Sequence, residues 1–329
     1  MSSDEPLPSG KLPPELLASL LGAAPALPPE VRIGPAPGED ACAIDVPAGT
    51  LVATTDPITL TGSDVARYAV AINANDVAAM GVRPRWMLAA VLLPVGTTRG
   101  EVEDLFAALR EATEAAGTAL VGGHTEITAA VAQPLVVGQM LGLAEDGRVL
   151  SSGGLEPGDV VVQVGRAPIE AAAVLADRFG ASLAGLSDAL VSAARDAVTD
   201  PGISVVEAGL LAASLGAKAA HDPTEGGLAS GLGELAAASG VGLDLHRDAV
   251  LWFEPGVAVC RALGADPWGA LASGCLLVGF APDRAEAALA GFADAGLPAA
   301  PIARAVAGRG TGLPRFSRDE VARLHEEEG

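Results

Sequence analysis

The chain is poor in aromatic side chains, basic charge and cysteine. Phe, Trp and Tyr make up 3% of its 329 residues. Ala, Val, Leu and Gly must therefore do the packing, which excludes large aromatic clusters. Lysine occurs only as Lys11 and Lys218, and 20 basic residues face 41 acidic ones, for a formal net charge of −21. Nucleic acid and anionic membranes both need basic surface, so neither is expected as a partner. The three cysteines, Cys42, Cys260 and Cys275, are odd in number and lack metal-ligand spacing. They read as reduced thiols of a cytoplasmic protein rather than a disulfide framework. No uninterrupted apolar run reaches the length of a membrane span. The polar start, with Asp4 and Glu5, lacks the basic region of a secretory leader, and cytoplasm is the expected compartment. Three familiar signatures are also missing: the Gly-Lys-Ser/Thr phosphate loop, the strand-linked Gly-x-Gly-x-x-Gly fingerprint and the Gly-x-Ser-x-Gly elbow.

What is present begins with length: 329 residues suffice for two domains with sizeable cores. In the first half the pattern predicts a short helix over 12–22, strands over 41–46 and 50–55, and a helix over 63–80. A buried strand follows over 86–93, then an amphipathic helix over 100–116 with Val102, Leu105, Phe106, Leu109 and Ala112 on one side. Strands over 118–122 and 134–143 flank an expected turn at His124–Glu126. Turn chemistry at Ser151-Ser152-Gly153-Gly154 and Pro157-Gly158-Asp159 places a domain boundary near 150. Beyond it the pattern predicts a strand over 159–164, a helix over 168–179 and a long Ala-rich helical region over 186–215. A Gly-rich helix start over 222–239, a strand over 273–280, a helix over 283–295 and a short tail complete the chain.

Four acidic motifs stand in the first 126 residues: Gly38-Glu39-Asp40-Ala41, Thr54-Thr55-Asp56-Pro57, Asn73-Ala74-Asn75-Asp76 and Gly122-Gly123-His124-Thr125-Glu126. Carboxylates gathered by a fold repel one another, and burial raises that cost. A hard divalent cation removes the conflict, and Mg²⁺ typically takes one or two carboxylates together with substrate phosphates. The motifs therefore point to a magnesium–nucleotide site. Asn73 and Asn75 are the only asparagines in the chain. Asn is a poor helix-interior residue, so the pair serves either as ligands to metal, phosphate or ribose, or as a buried network bracing the helix. Gly122 and Gly123 let backbone approach a ligand, and Thr125 can donate to phosphate. Glu126 can be a metal ligand or general base, and His124 either a catalyst or a structural hydrogen-bonder. In the second half, His221-Asp222-Pro223-Thr224-Glu225-Gly226-Gly227 opens a helix whose amides could meet an anion, or whose start Thr224 or Asp222 could simply cap. Lys11 either closes over phosphates or is a solvated tail lysine.

In this order, the motifs resemble those of the aminoimidazole-ribonucleotide synthetase (PurM-like) superfamily. That superfamily includes thiamine-monophosphate kinase, selenophosphate synthetase and the hydrogenase-maturation dehydratase. The resemblance runs through Gly38-Glu-Asp-Ala, Thr54-Thr-Asp56, Asn75-Asp76 to Gly81-Val-Arg-Pro84, Gly122-Gly-His-Thr125, Pro157-Gly-Asp159, Asp222 to Gly227, and Ser273-Gly274. The look is that of the hydrogenase-maturation-like, AIR synthase-related branch. It implies a two-domain α+β fold: residues 1–150 bind ATP and form a β-barrel shared by a homodimer, and residues 151–329 form an α/β sandwich. It implies Mg²⁺ ligands at Asp40, Asp56, Asp76 and Asp222, with Asn73, Asn75, Gly122, Gly123 and Thr125 lining the nucleotide site. The implied activity is ATP-dependent phosphorylation of an oxygen or other nucleophile on a small substrate. A small-molecule kinase, or a nucleotide-binding maturation partner without turnover, are the alternatives. Two departures matter. The dehydratase carries its substrate on a C-terminal cysteine and selenophosphate synthetase uses a reactive residue near its start, yet no cysteine here follows Cys275 or precedes Cys42. The family's acidic residue after Gly-Gly is here His124.

Overall fold

The computed structural model describes residues 10–11, 14–22, 26–33, 43–44, 46, 49–59 and 64–328. Asp40, Cys42 and the expected strand over 41–46, apart from its centre, lie outside them, as does the Lys11 side chain. The chain folds as two compact units, Met1–Val77 with Arg83–Arg148, and Ala78–Val82 with Val149–Gly329.

The first unit contains strands β1 (Gly10–Lys11), β2 (Val31–Ile33), β3 (Ala43–Ile44), β4 (Thr50–Ile58), β5 (Pro84–Pro94), β6 (Ala119–Thr128) and β7 (Leu135–Ala144). Its helices are α1 (Pro14–Gly22), most of α2 (Val65–Ala79) and α3 (Arg99–Ala115). Five strands form an open sheet in the order β1-β6-β5-β7-β4, and β2 pairs with β3. A capping box starts α3: Thr98 accepts from the Glu101 N–H, and Glu101 accepts in return from the Thr98 N–H. Side chains alternate across this sheet with period two. Met87, Ala89, Val91 and Leu93 of β5 and Val136 and Met140 of β7 are buried, while Leu88, Ala90, Leu92, Val137 and Leu141 are only half-buried. In β4 the same alternation turns Thr54 and Asp56 inward, toward α2, and leaves Leu51, Ala53 and Pro57 exposed. At one end Leu27 and Val31 pack with Leu88 and Leu141 around Trp86. Among the described residues the rest of that face is open and the sheet does not close into a barrel.

The second unit carries β8 (Val160–Gly165), β9 (Ala219–His221), β10 (Gly242–Leu245), β11 (Cys275–Phe280) and β12 (Ala299–Val306). Its helices are α4 (Ile169–Arg178), α5 (Asp188–Arg195), α6 (Val206–Ser214), α7 (Gly227–Ser239), α8 (Glu254–Ala262), α9 (Pro282–Asp294) and α10 (Glu320–Glu328). The sheet runs β10-β12-β8-β11-β9 and every pairing in it is antiparallel. Both faces are covered. Val161, Cys275 and Leu277 pack with Leu228, Leu232 and Leu235 of α7 on one side. Val162, Leu276, Val278 and Phe280 pack with Ala208, Ala212, Ala288 and Phe292 of α6 and α9 on the other. All six residues of β11 are buried, which explains its unbroken apolar run.

Three expectations fail. The turn at His124–Glu126 is absent: β6 runs straight through it as the parallel partner of β5. The helical region over 186–215 is broken between α5 and α6, where Asp200-Pro201-Gly202 interrupts it. The tail holds β12 and α10; Pro301 and Arg304 interrupt the apolar pattern of β12, and α10 is a short, mostly charged segment.

Candidate functional site

The four residues Thr54, Asp56, Asn73 and Asp76 meet where β4 passes under α2. Asn73 and Asp76 are one helical turn apart and so share a face. The Thr54 hydroxyl donates to Asp76 Oδ2 at 2.7 Å. Asn73 is 0% exposed. Its Oδ1 accepts the Asp56 N–H at 2.9 Å, and its Nδ2 donates to the Asp56 carbonyl at 3.3 Å and to the Ala69 carbonyl at 2.9 Å. Asn75 is equally buried and is also engaged. Burial raises the Asp76 pKa to about 7; the Thr54 hydrogen bond opposes this, and the hydrogen bond and charge of Asp56 add to it. Two carboxylates are thus held together at a cost. No cluster of three or more metal-capable side chains occurs among the described residues. Two carboxylates and a hydroxyl fit a Mg²⁺ that completes its shell with phosphate and water, rather than a metal in an all-protein cage.

Strand β6 distributes its motif over two faces. Gly123 pairs with Ala89 and Thr125 with Val91, on the side that carries Asp56. They stand on β6, three strands from β4, so roughly 14 Å of sheet separates Thr125 from Asp56. Gly123 has φ +147°, and a Cβ there would lie 2.0 Å from the Ala89 carbonyl oxygen. Close strand pairing alone therefore demands glycine at this position. Gly122, His124 and Glu126 pair with Leu88, Ala90 and Leu92 on the open face. There His124 Nε2 lies 3.2 Å from Glu126 Oε2, both side chains being exposed to solvent. The backbone of Lys11, on β1, is the register partner of Glu126.

In the second unit the turn before α7 is occupied from within. Gly226 and Gly227 both adopt positive φ, +75° and +65°. The Gly226 N–H donates to Asp319 Oδ2 at 2.8 Å and the Gly227 N–H to the Thr224 carbonyl at 3.1 Å. The anion at this helix start is thus Asp319, whose Oδ1 also accepts the Val321 N–H at 2.7 Å and so caps α10. Asp222 is buried, and its neighbour His221 bridges Glu234 (2.8 Å) and Ser152 (3.2 Å).

Sequence reasoning missed two acids here. Glu170, 4% exposed in the first turn of α4, has no hydrogen-bond partner for its Oε2 among the described residues. Its pKa is raised to about 7 by burial and by the charges of Asp319 and Glu225, with Ser273 opposing. Burial likewise raises Asp319 to about 6, against its backbone hydrogen bonds. The signal available for Glu170 was one acid in an otherwise apolar helix start; for Asp319 there was none. Cys260 and Cys275 are buried and their thiols are pushed up, that of Cys260 to about 12, which leaves them inert as nucleophiles.

A sheet packed with helices in each unit, mixed in the first and antiparallel in the second, makes this a two-domain α+β protein, and in the first unit an acid of a strand meets an acid of the helix above it. Residues 38–144 match the N-terminal domain of the AIR synthase related protein family, and residues 156–314 match its C-terminal domain. Carbamoyl dehydratase HypE of Rhodobacter capsulatus is 33% identical over 276 residues, covering 80% of this chain and 78% of that protein. The chain belongs to the AIR synthase-related family and stands in its HypE-like branch. Among solved structures, HypE in complex with ATP superposes with a TM-score of 0.69 at 24% identity, covering 90% of this chain and 92% of that one. Thiamine-monophosphate kinase from Stenotrophomonas maltophilia K279a gives 0.70 at 23%, covering 90% and 94%. These likenesses speak for the fold.

Proposed function

We propose that the protein is a Mg²⁺-dependent, ATP-using enzyme that phosphorylates, and so activates, an oxygen or other nucleophile of a small substrate. The observation that carries the reading is the Asp56–Asp76 pair: two carboxylates kept together under α2, one of them raised to about 7. Such a pair is strained without a cation and relieved by one. Asp56 and Asp76 would hold the Mg²⁺, with Thr54 fixing the Asp76 carboxylate. The metal supplies charge neutralisation for the phosphates of ATP. Relatives that bind ATP or are named as dehydratases support this class of chemistry. Asp40, outside the described residues, and Asp222, in the second unit, are candidate ligands on the family resemblance alone. Gly123, Thr125 and Asn75 are candidates for the nucleotide on the same footing, as is Lys11. His124 and Glu126 are candidates for acting on a substrate at the open face of the first sheet. That exposed apolar face also supports pairing of two copies into a shared barrel.

Calorimetric titration of ATP with and without Mg²⁺, run beside Asp76→Ala, tests the reading. Metal-dependent binding that the substitution abolishes is expected; equal binding by the variant refutes the metal assignment. The likeness to thiamine-monophosphate kinase keeps a small-molecule kinase as the second reading. A stable phosphorylated product separates it from an activating synthetase, which releases ADP with a dehydrated or condensed product. A maturation partner without turnover predicts tight ATP binding and no ADP from any substrate.

A further inference from the structure

Resting on that metal reading, we infer that Asn73 is a positioning residue for the cation site, and that Gly138 provides the space in which it works. Among the described residues β4 is an edge strand, paired on one side only, by β7. At Asp56 its main chain is bonded by the Asn73 amide, which accepts from the N–H and donates to the carbonyl. One side chain thus supplies the donor and acceptor that a neighbouring strand would provide. The second amide proton goes to the Ala69 carbonyl one turn back along α2, so the rotamer is fixed from three directions. Asp76 lies one turn further along the same helix face. The amide therefore ties the backbone that carries Asp56 to the helix turn that carries Asp76.

This tie addresses a specific problem. Two carboxylates without a cation push apart, and an edge strand can yield to that push. Holding the strand to the helix sets their separation before the metal arrives, which is the kind of support that orients ligands and raises affinity. Gly138, the β7 partner of Asp56, completes the device. A Cβ at Gly138 would lie 2.3 Å from Asn73 Nδ2 and 2.7 Å from its Cγ. The absence of a side chain at this position of β7 is what admits the amide.

Two substitutions break the same tie from opposite sides: Asn73→Ala removes the amide, and Gly138→Ala displaces it chemically intact. Mn²⁺, whose free form is counted by its electron paramagnetic resonance signal, is titrated into the full chain. Thr113→Ala serves as the stability control, since it deletes a buried hydroxyl on α3 that bonds only within its own helix. Asn73→Ala and Gly138→Ala are each expected to weaken Mn²⁺ about tenfold or more. Thr113→Ala should lower the melting temperature and leave the affinity unchanged. If both test variants melt earlier yet bind Mn²⁺ as the parent does, Asn73 is a structural brace only and the inference is overturned. Asp76→Asn separates the other failure. Should that variant also bind like the parent, the metal reading itself has fallen. If one test variant does not fold, the other decides.

Discussion

The two sheets of this protein solve burial differently. The second unit wraps its antiparallel sheet on both faces, so the inner strand β11 is buried at every position and reads as a solid apolar run. The first unit covers one face with helices and leaves the other half-bare, so β4, β5 and β7 alternate. Where packing is complete, each residue is dictated by its neighbours. Where a face stays open, strands can carry residues that serve something outside the fold. The polar groups follow the same division. The Asp56–Asp76 pair sits on the helix side of the half-covered sheet, and His124 with Glu126 on its bare side.

Several substitutions would break or sharpen this contrast. The largest effect should come from Phe280→Ala in the doubly covered sheet, at about 3–5 kcal/mol of lost stability by chemical unfolding. Leu92→Ala on the open face should cost clearly less. Equal costs would mean that the open face is covered after all. Next comes Glu170, whose folded pKa of about 7 lies above its ordinary value of 4.5. An acid raised on folding stabilises fully below its unfolded pKa and loses that contribution as pH rises through the folded one. Stability should therefore fall between about pH 4.5 and 7 by an amount of order 3 kcal/mol from this group. Glu170→Gln should flatten that slope in pH-dependent melting curves; an unchanged slope would assign it elsewhere. Thr98→Ala removes the capping box of α3 and should cost about 1 kcal/mol. The smallest folding effect belongs to Leu51→Lys, at a side chain 48% exposed. It should fall within about 0.5 kcal/mol. Sedimentation of the same variant shows whether the face meets a second copy: loss of a dimer confirms that it does, and unchanged mass places any pairing elsewhere.

Much of this was legible in the residues. The helices α2, α3, α4 and α9 and the strands β5, β7, β8 and β11 follow their apolar periodicities to within a few residues. The shared face of Asn73 and Asp76 follows from helical spacing alone. The start of β6 was expected, but its continuation was hidden because Gly-Gly-His-Thr-Glu has the composition of a turn, and only pairing with β5 makes it a strand. With the strand went its parity, and so the knowledge that Thr125 and Glu126 face opposite ways. The partners of the Gly226–Gly227 amides were invisible for another reason: Asp319 lies 93 residues away in sequence. For Asn73 the sequence offered ligand and brace as alternatives. The three hydrogen bonds favour the brace, and the strand it braces carries Asp56.

Because β6 sends odd positions to one side of its sheet and even positions to the other, its length is a constraint of its own. Substitutions at 122, 124 and 126 can alter what the bare side meets without disturbing 123 and 125. A single-residue insertion or deletion would instead exchange the two sets wholesale. Divergence along this strand is therefore free in residue type but not in residue number. Relatives that differ here should do so by replacement, keeping the count.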